Sequence, residues 1–464
     1  MAFTDRLHNR GSISTAFNID HSLKVENDNR EYIRWTNFSN QGSEARKKKF
    51  SMSLWCKRTE LGRQQIIWST SQNGYLGFDA ADTVVWYQQY GGGQLGLRTT
   101  KKFRDTAAWY HFMIVVDTAQ STEANRVKMY VNGVQETVFG TPNTYPSQNA
   151  QASNLYEQHL ILGEWGGGST GFSGYIAEYY FLSEIAASPT DLGEYDEDSG
   201  IWKPKAYDGT ISSPSHFLEF KDGSDLGTAT SGLDGDYLEN ITAADQATDT
   251  PTNNFAVLNF NHRNSGTSGF SNNPILTEGA TVHTSTLADY WQTSIPTIGV
   301  TSGKWYFEAK IQDSNTTLVA VGMGDEGDIQ TWGVNNGYLG AGKSLSYGSG
   351  SSAYTHSNII GIAVDVDNGK VYWAKDNTYI NSGNPAGNAN GTAIPTGGVS
   401  NGTYFLGVSG YKLSGHAVWQ VNFGGYTAMS ISSAASDANG YGTFEYAPPS
   451  GYYAICTKNL AEYG

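Results

Sequence analysis

Residues 127–138 read VKMYVNGVQETV, and this stretch indicates how the sequence folds. Asn132 and Gly133 separate two short runs in which apolar and polar residues alternate. Both residue types tolerate the positive φ angles that a two-residue hairpin turn requires. The stretch therefore predicts two antiparallel strands joined by a tight turn.

Strand-like segments continue on both sides of this hairpin. They run from residue 13 to residue 182 without a helical pattern, and they resume between residues 255 and 425. The second group has its own hairpin signal, Asn368 and Gly369, between IIGIAVDV and VYWA. Many short strands without helices between them are typical of sandwiches and barrels. The sequence predicts an all-β protein with two β-sandwich domains in series.

The composition agrees with this fold class and narrows the function. Of 464 residues, 55 are glycine, and aromatic residues make up 13%, which is enough apolar surface to build more than one core. The net charge of −15 argues against a dedicated nucleic-acid binder. No apolar run approaches the ~18 residues of a membrane span, and the first residues lack the apolar core of a signal peptide. We expect no membrane insertion, and we expect folding in a reducing cytoplasm.

The segment between the two strand-rich regions has a different character. It is rich in acidic and turn-forming residues, yet it also holds several aromatic residues, so we expect an extended connector that packs against its neighbours. The predicted boundaries are 1–12 for an N-terminal docking arm, 13–185 for the first sandwich, 186–254 for the connector, 255–425 for the second sandwich and 426–464 for a C-terminal tail.

Particular segments of the two sandwiches match known families. KFSMSLWCKR (49–58), AWYHFMIVVDT (108–118) and GFSGYIAEYYFLS (171–183) flank the first hairpin in an order that resembles the laminin G or concanavalin A-like jelly roll. SGKWYFEAKI (302–311), the second hairpin and VWQVNFG (418–424) resemble the SPRY fold. The resemblance implies lectin-like sandwiches, and fold analogy alone says little about a ligand.

The order of these parts resembles a family of bacteriophage virion proteins. That resemblance implies a tail-fibre or appendage protein that is assembled in the host cytoplasm and located in the virion. Its partners would be other virion proteins, copies of itself in a symmetric assembly, and glycans of the host surface. Two alternatives stay open: a capsid decoration or head-fibre protein with a purely structural role, and a glycan-degrading enzyme.

Three motifs resemble catalytic or nucleotide sites, but their surroundings do not fit the chemistry. Residues 337–344 match a phosphate loop, which needs a strand before it and a helix after it. Residues 398–402 match a hydrolase elbow, which must also lead into a helix. Glu194, Asp196 and Asp198 alternate as glycosidase carboxylates do, but in a turn-rich segment. We predict no catalytic residues and no enzymatic activity.

Metal ligands and cofactors are likewise not indicated. Asp79, Asp82 and Asp117 could hold calcium, as loop carboxylates do in some laminin G-like domains, but their spacing does not require it. His111 is expected in the core or on a sheet face. We predict no metal site and no cofactor, with calcium left open.

Aromatic residues beside glycine-rich or amide-rich turns are the best candidates for a binding site. Sugars stack on flat aromatic faces, and amide side chains supply hydrogen bonds. The alternative for any one ring is a place in the core or in a subunit interface. The predicted glycan contacts are Trp86, Tyr87, Tyr90, Trp165, Trp332 and Tyr338.

The polar N-terminal arm carries Arg6, His8 and Arg10 without any apolar periodicity. A segment of this kind becomes ordered only when something binds it. We predict that these three residues take part in assembly.

Overall fold

The computed structural model describes residues 17–35, 43–70, 73–91, 93–153, 155, 160–165, 170–197, 199–234, 237–264, 273–287, 290–314, 319–325, 344–346, 356, 358–394, 402–411 and 417–464. Two compact units hold the described chain, one within Ser14–Thr252 and one within Asn253–Gly464. Both are built almost entirely of β-strands, as the sequence predicts.

The first unit contains nineteen described strands and one short helix, α1 (Glu44–Lys48). The strands are β1 (Ser22–Val25), β2 (Tyr32–Trp35), β3 (Lys49–Arg58), β4 (Gln65–Thr70), β5 (Gly74–Phe78), β6 (Thr83–Tyr90), β7 (Gly93–Lys102), β8 (Trp109–Asp117), β9 (Val127–Val131), β10 (Val134–Glu136), β11 (Phe139–Asn143), β12 (Leu160–Leu162), β13 (Gly174–Ser183), β14 (Gly193–Tyr195), β15 (Trp202–Pro204), β16 (His216–Leu218), β17 (Ser231–Gly232), β18 (Tyr237–Glu239) and β19 (Gln246–Ala247).

These strands form a sandwich of two antiparallel sheets. Sheet I has the order β10-β9-β8-β3-β13-β1-β19, and β16 pairs with β13 and with β17. Sheet II has the order β11-β7-β6-β5-β4-β12-β2-β18. The core between them takes Leu54 and Ile114 from sheet I, and Trp68 and Trp86 from sheet II, all of them buried. Strands β14 and β15 form a separate hairpin.

The predicted hairpin at Asn132 and Gly133 is confirmed. Val131 and Val134 lie opposite each other in β9 and β10, and the two turn residues have φ angles of 48° and 77°. The indole ring of Trp202, from β15, covers the turn, and a Cβ atom on Gly133 would lie 2.5 Å from that ring. The turn therefore needs glycine for its backbone and for its packing.

Residues predicted as a connector contribute strands to the first sandwich. β16 pairs with β13 of sheet I, β18 pairs with β2 of sheet II, and β19 pairs with β1. The division of the chain between Thr252 and Asn253 groups this segment with the first unit. Through these strands the segment is part of both sheets.

The second unit contains fourteen described strands and the helix α2 (Thr457–Tyr463). The strands are β20 (Leu258–Asn264), β21 (Ile275–Thr277), β22 (Val282–Ser285), β23 (Trp291–Pro296), β24 (Lys304–Ser314), β25 (Val319–Asp325), β26 (Ser344–Ser346), β27 (Ile359–Asp365), β28 (Lys370–Lys375), β29 (Thr378–Tyr379), β30 (Thr392–Ala393), β31 (Tyr404–Tyr411), β32 (Ala417–Asn422) and β33 (Tyr453–Ala454).

This unit also has two sheets. Sheet III has the order β20-β23-β31-β25-β26, and sheet IV has the order β21-β22-β32-β24-β27-β28-β29. The predicted hairpin at Asn368 and Gly369 joins β27 to β28, where Asp365 lies opposite Lys370. The C-terminal tail packs on sheet IV, because β33 pairs with β24 and Phe444 and Tyr452 join a buried cluster with Tyr306.

The buried carboxyl group of Glu308 binds the backbone of this tail. Glu308 is 0% exposed and accepts hydrogen bonds from the backbone N–H groups of Glu445 (3.0 Å) and Tyr446 (2.9 Å) and from the amide of Asn422 (3.1 Å). Burial raises the pKa of Glu308 to about 7.

Within the described ranges, neither helix is long and apolar enough to cross a membrane.

Candidate functional site

Two of the predicted glycan contacts, Trp86 and Tyr90, belong to the core of the first sandwich. Trp86 is 0% exposed and Tyr90 is 6% exposed. Leu76 and Leu97 lie opposite Trp86 on the neighbouring strands and join the same core cluster. A ring inside the core cannot stack on a sugar, so the prediction is corrected for these two residues.

Tyr87 and Trp165 meet on the other face of sheet II, where Tyr75 joins them. The ring centroids of Tyr75 and Tyr87 are 5.4 Å apart, and those of Tyr75 and Trp165 are 4.6 Å apart with the planes at 57°. All three side chains are half-buried. We call these three residues the aromatic platform. Sequence reasoning missed Tyr75 because no glycine triplet lies beside it.

The alternation of the strands places the platform outside the core. Tyr75 lies directly opposite Tyr87 across β5 and β6, and their neighbours Leu76 and Trp86 point inward. Trp165 follows β12, in a segment held over the sheet by two hydrogen bonds. The Ser69 hydroxyl donates to the carbonyl of Glu164 (2.7 Å), and the N–H of Trp165 donates to the carbonyl of Thr170 (3.0 Å).

Tyr75 and Tyr87 of the platform belong to a longer row of residues on this face of sheet II, in which Ser69 and Ile161 are buried. Each member lies opposite the next on a neighbouring strand, and the row crosses six strands, about 24 Å at ~4.8 Å per strand. At its far end the guanidinium of Arg34 lies 4.9 Å from the ring centroids of both Tyr32 and Tyr237. The row consists of Tyr87, Tyr75, Ser69, Ile161, Arg34 and Tyr237.

Charges close to the platform are paired. Arg98 forms an ion pair with Asp79, and Arg30 donates to the buried Glu164 carboxylate at 3.1 Å. Burial, and then the neighbouring Tyr87 hydroxyl, raise the pKa of Tyr75. Tyr75 therefore stays uncharged near neutral pH, and the surface beside the platform offers hydrogen-bonding groups with balanced charge.

The remaining predicted binding residues cannot be placed. Trp332 and Tyr338 lie outside the described residues, as do Arg6, His8 and Arg10 of the arm. Of the phosphate-loop motif only Ser344 is described, and it begins strand β26, where a phosphate loop would begin a helix.

The acidic run forms part of an ion-paired hairpin. The ammonium of Lys203 lies 3.4 Å from the carboxylate of Glu194 and 3.3 Å from that of Asp196, and Asp198 is not described. Hydrogen bonds from Ser199 lower the pKa of Asp196 to about 2. Asp196 is thus ionised at neutral pH and is no proton donor, whereas glycoside hydrolysis needs one carboxylic acid.

Two of the three carboxylates considered for calcium bind guanidinium groups. Asp79 pairs with Arg98, and Asp82 lies 3.2 Å from Arg58 and 2.9 Å from Arg104. The carboxylate of Asp117 accepts from the following turn. No group of three or more His, Cys, Asp or Glu side chains suited to a metal occurs within the described part of the chain.

His111 is a buried residue of sheet I, as expected. The indole N–H of Trp202 donates to its Nδ1 at 3.0 Å, so its Nε2 carries the proton that it shares with the Ser53 hydroxyl at 2.7 Å. Burial lowers the pKa of His111 to about 3, and the ring stacks on Trp55. It is a neutral core residue.

Several solved structures are similar to parts of this chain. No curated protein matches the chain. A protein from Bacteroides ovatus described as carbohydrate binding is 18% identical over 37% of this chain and 45% of its own, with a TM-score of 0.28. The SPRY domain of human HERC1 is 13% identical over 34% and 94%, with a TM-score of 0.23. The CBM40 of a Ruminococcus gnavus IT-sialidase, solved with α2,3-sialyllactose, is 10% identical over 37% and 95%, with a TM-score of 0.23.

The family comparison concerns the first unit alone. The matched part of this chain covers less than half of the Bacteroides ovatus protein. Residues 27–191 match the model of the concanavalin A-like lectin/glucanases superfamily, and they include strands of both sheets and the whole aromatic platform. This region of the first sandwich is a concanavalin A-like domain.

Proposed function

We propose that this protein binds glycans through the aromatic platform on sheet II. The observation that carries the proposal is the contact of Tyr75 with both Tyr87 and Trp165, which presents partly exposed rings at an angle to one another. Sugar rings have apolar faces that stack on such surfaces, and their hydroxyl groups need polar neighbours. The paired charges beside the platform supply those neighbours.

The balanced charge favours an uncharged glycan. Arg98 and Arg30 already hold carboxylates, Asp79 and Glu164, so an acidic sugar would have to compete with them for the two guanidinium groups. A neutral sugar needs only hydrogen bonds. A single site of this kind has a Kd of order mM, and many copies on one particle raise the avidity by orders of magnitude.

We further propose that the protein acts as an appendage of a bacteriophage particle. The support for this part is the order of the sequence segments, in which a lectin-like sandwich precedes a connector and a SPRY-like sandwich. Glycan binding by repeated copies would then attach the particle to its host. We propose no enzymatic activity and no resident cofactor.

The test of glycan binding uses an array of neutral and acidic bacterial polysaccharides and the full chain coupled to multivalent beads. Trp165→Ala is expected to lower binding to a neutral glycan about tenfold, because a lost stacking contact is worth about 1.4 kcal/mol. Tyr195→Ala is the matched control, since Tyr195 is a half-exposed tyrosine on the separate β14–β15 hairpin. Equal loss in both variants, or no loss in Trp165→Ala, would contradict the proposal.

The location is tested separately by a map of intact particles. A few symmetry-related copies at the tail would support an attachment role. Dozens of copies on the capsid, together with no glycan binding, would favour the alternative of a structural decoration protein.

A further inference from the structure

A buried lysine in the first sandwich lies between two carboxyl groups. The side chain of Lys24, on β1, is 1% exposed. Its Nζ lies 2.9 Å from each carboxylate oxygen of Glu31 and 2.8 Å from Oδ1 of Asp245. Glu31 precedes β2, and Asp245 immediately precedes β19, which pairs with β1. Two neighbouring segments and one segment that is distant in the sequence thus bring an amine and two carboxyls together out of water.

The two carboxyl groups are held differently. Oδ2 of Asp245 accepts hydrogen bonds from the backbone N–H (2.8 Å) and the hydroxyl (3.1 Å) of Thr242, so only Oδ1 faces Lys24. Both oxygens of Glu31 face Lys24, and one also accepts from the amide of Asn29 at 3.1 Å. Asp245 therefore has donors on the oxygen that points away from the amine.

We propose that Lys24 and Asp245 condense to an intramolecular isopeptide bond, with Glu31 as the proton carrier. The Lys24 ammonium gives a proton to Glu31, which passes it to Oδ1 of Asp245, and the free Nζ electron pair then attacks Cγ of the resulting carboxylic acid. Charge develops on Oδ2, where the two Thr242 donors stabilise it. Oδ1 leaves as water, taking up protons from the amine by way of Glu31. In balance, one ammonium and one carboxylate become one amide and one water, and no oxidant or other reactant is needed.

The surroundings favour this reaction in three ways. The reacting groups are held together by the fold, which replaces a bimolecular encounter. Burial raises the pKa of Glu31, and the nearby Asp245 and Lys24 charges act on it in opposite directions, so its carboxyl can hold a proton in transit. The product is a neutral amide, which removes two charges from a place where charges are costly.

The reaction would link the two ends of the first unit covalently. A covalent bond between residues 24 and 245 encloses nearly the whole sandwich, which spans Ser14–Thr252. Unfolding of the linked chain would then lead to a restricted unfolded ensemble, as it does with a disulfide that closes a long loop. This inference does not depend on glycan binding.

The experiment is mass spectrometry of the purified full chain under denaturing conditions. We expect an intact mass lower than the sequence mass by one water. In a tryptic digest we expect no cleavage after Lys24 and a joined peptide that contains both Lys24 and Asp245. Lys57 is the digestion control, because it is also fully buried in an ion pair, with Asp249, and should be cleaved normally once the chain is denatured.

Two variants test the role of the proton carrier. Glu31→Gln should fold, by circular dichroism, and should lose the bond almost completely. Glu26→Gln is the matched control, since Glu26 is also buried and lies close to Lys24 in the sequence, but accepts from Ser173 at 2.7 Å. It should keep the bond. A bond that persists in Glu31→Gln would overturn the assigned role of Glu31.

The wild-type chain alone can refute the central inference. Cleavage after Lys24 in a folded preparation would overturn it, and so would a linkage of Lys24 to Glu31. Loss of water at an Asp-Gly step such as Asp222 and Gly223, by succinimide formation, would also lower the mass. That outcome would leave Lys24 cleavable and would count against the bond.

Discussion

Removing the carboxylate of Asp249 should destabilise the first sandwich strongly. Asp249 and Lys57 are both 0% exposed and lie 2.7 Å apart, and the other Asp249 oxygen accepts from the indole of Trp109 at 3.1 Å. Asp249→Ala leaves the ammonium in the core without this partner. Breaking a buried pair in this way costs about 3–5 kcal/mol.

A second estimate gives an upper limit for the loss of stability in Asp249→Ala. In this variant Lys57 can release its proton instead of staying charged. At pH 7 that costs about 5 kcal/mol, because the ordinary pKa of ~10.4 lies about 3.4 units higher and each unit is worth 1.36 kcal/mol. Burial already lowers the pKa of Lys57, so part of this cost is present in the wild type. The two estimates agree on a loss of about 3–5 kcal/mol.

Urea unfolding of the full chain measures this loss. With a slope of about 2–3 kcal/mol/M, the transition of the first unit should move down by about 1–2.5 M. Hydrogen–deuterium exchange read by mass spectrometry assigns the shifted transition to β1, β3 and β13. The double variant Lys57→Met, Asp249→Leu should recover most of the loss, because a packed apolar pair replaces the ion pair.

An exposed ion pair supplies the comparison. Glu44→Ala breaks the pair of Glu44 with Lys48 on helix α1, where Glu44 is 75% exposed, and should cost less than about 0.5 kcal/mol. A shift for Asp249→Ala as small as that for Glu44→Ala would refute the reasoning, since it would mean that the interior around Lys57 solvates a charge.

Two further predictions concern single residues of the same unit. Burial raises the pKa of Glu178 to about 8; because the native state then binds a proton that the unfolded state has released, stability should fall as the pH rises from about 4.5 to 8. Glu178→Gln cannot titrate at this position, so its free energy of unfolding relative to the wild type should grow by about 1.4 kcal/mol per pH unit in that window. Urea unfolding at pH 5 and pH 7.5 measures this. The same change in stability between the two pH values in both proteins would contradict the prediction. Gly133→Ala places a Cβ atom 2.5 Å from the Trp202 ring and strains a φ of 77°, so it should destabilise the protein by more than about 1 kcal/mol. It should also make the β14–β15 hairpin more sensitive to proteolysis. Gly62→Ala is the control, because Gly62 has a similar φ with open space around it, and it should leave the hairpin as resistant as in the wild type.

Local patterns in the sequence were sufficient for the strands and for both hairpins. Asn132 and Gly133 determine their turn through their own backbone preferences, which need no knowledge of distant residues. The same kind of reasoning could have excluded one of the two neighbours Trp86 and Tyr87. In TVVWYQQY (83–90), strict alternation puts Trp86 and Tyr87 on opposite faces, so at most one of them can face a ligand.

Local sequence patterns could not predict the buried ion pairs or the strands formed by the connector. Strands β16, β18 and β19 are two or three residues long, too short to show a period. The partners of Lys24 and Lys57 are Asp245 and Asp249, which lie in the segment predicted as an extended, turn-rich connector. Which carboxylates become buried depends on the completed sheets, and no local pattern records that.

In each unit the chain leaves beside the point where it entered. In the first, the N–H of Ile19 donates to the Thr252 hydroxyl at 3.0 Å, and in the second, the N–H of Ala256 donates to the carbonyl of Ile455 at 3.0 Å. A unit with adjacent ends can be inserted into a surface loop of another protein, or opened elsewhere and rejoined through its ends, without crossing its own strands. Adjacent ends therefore make each sandwich a module that recombination can exchange whole, because a replacement needs only two joins that lie side by side.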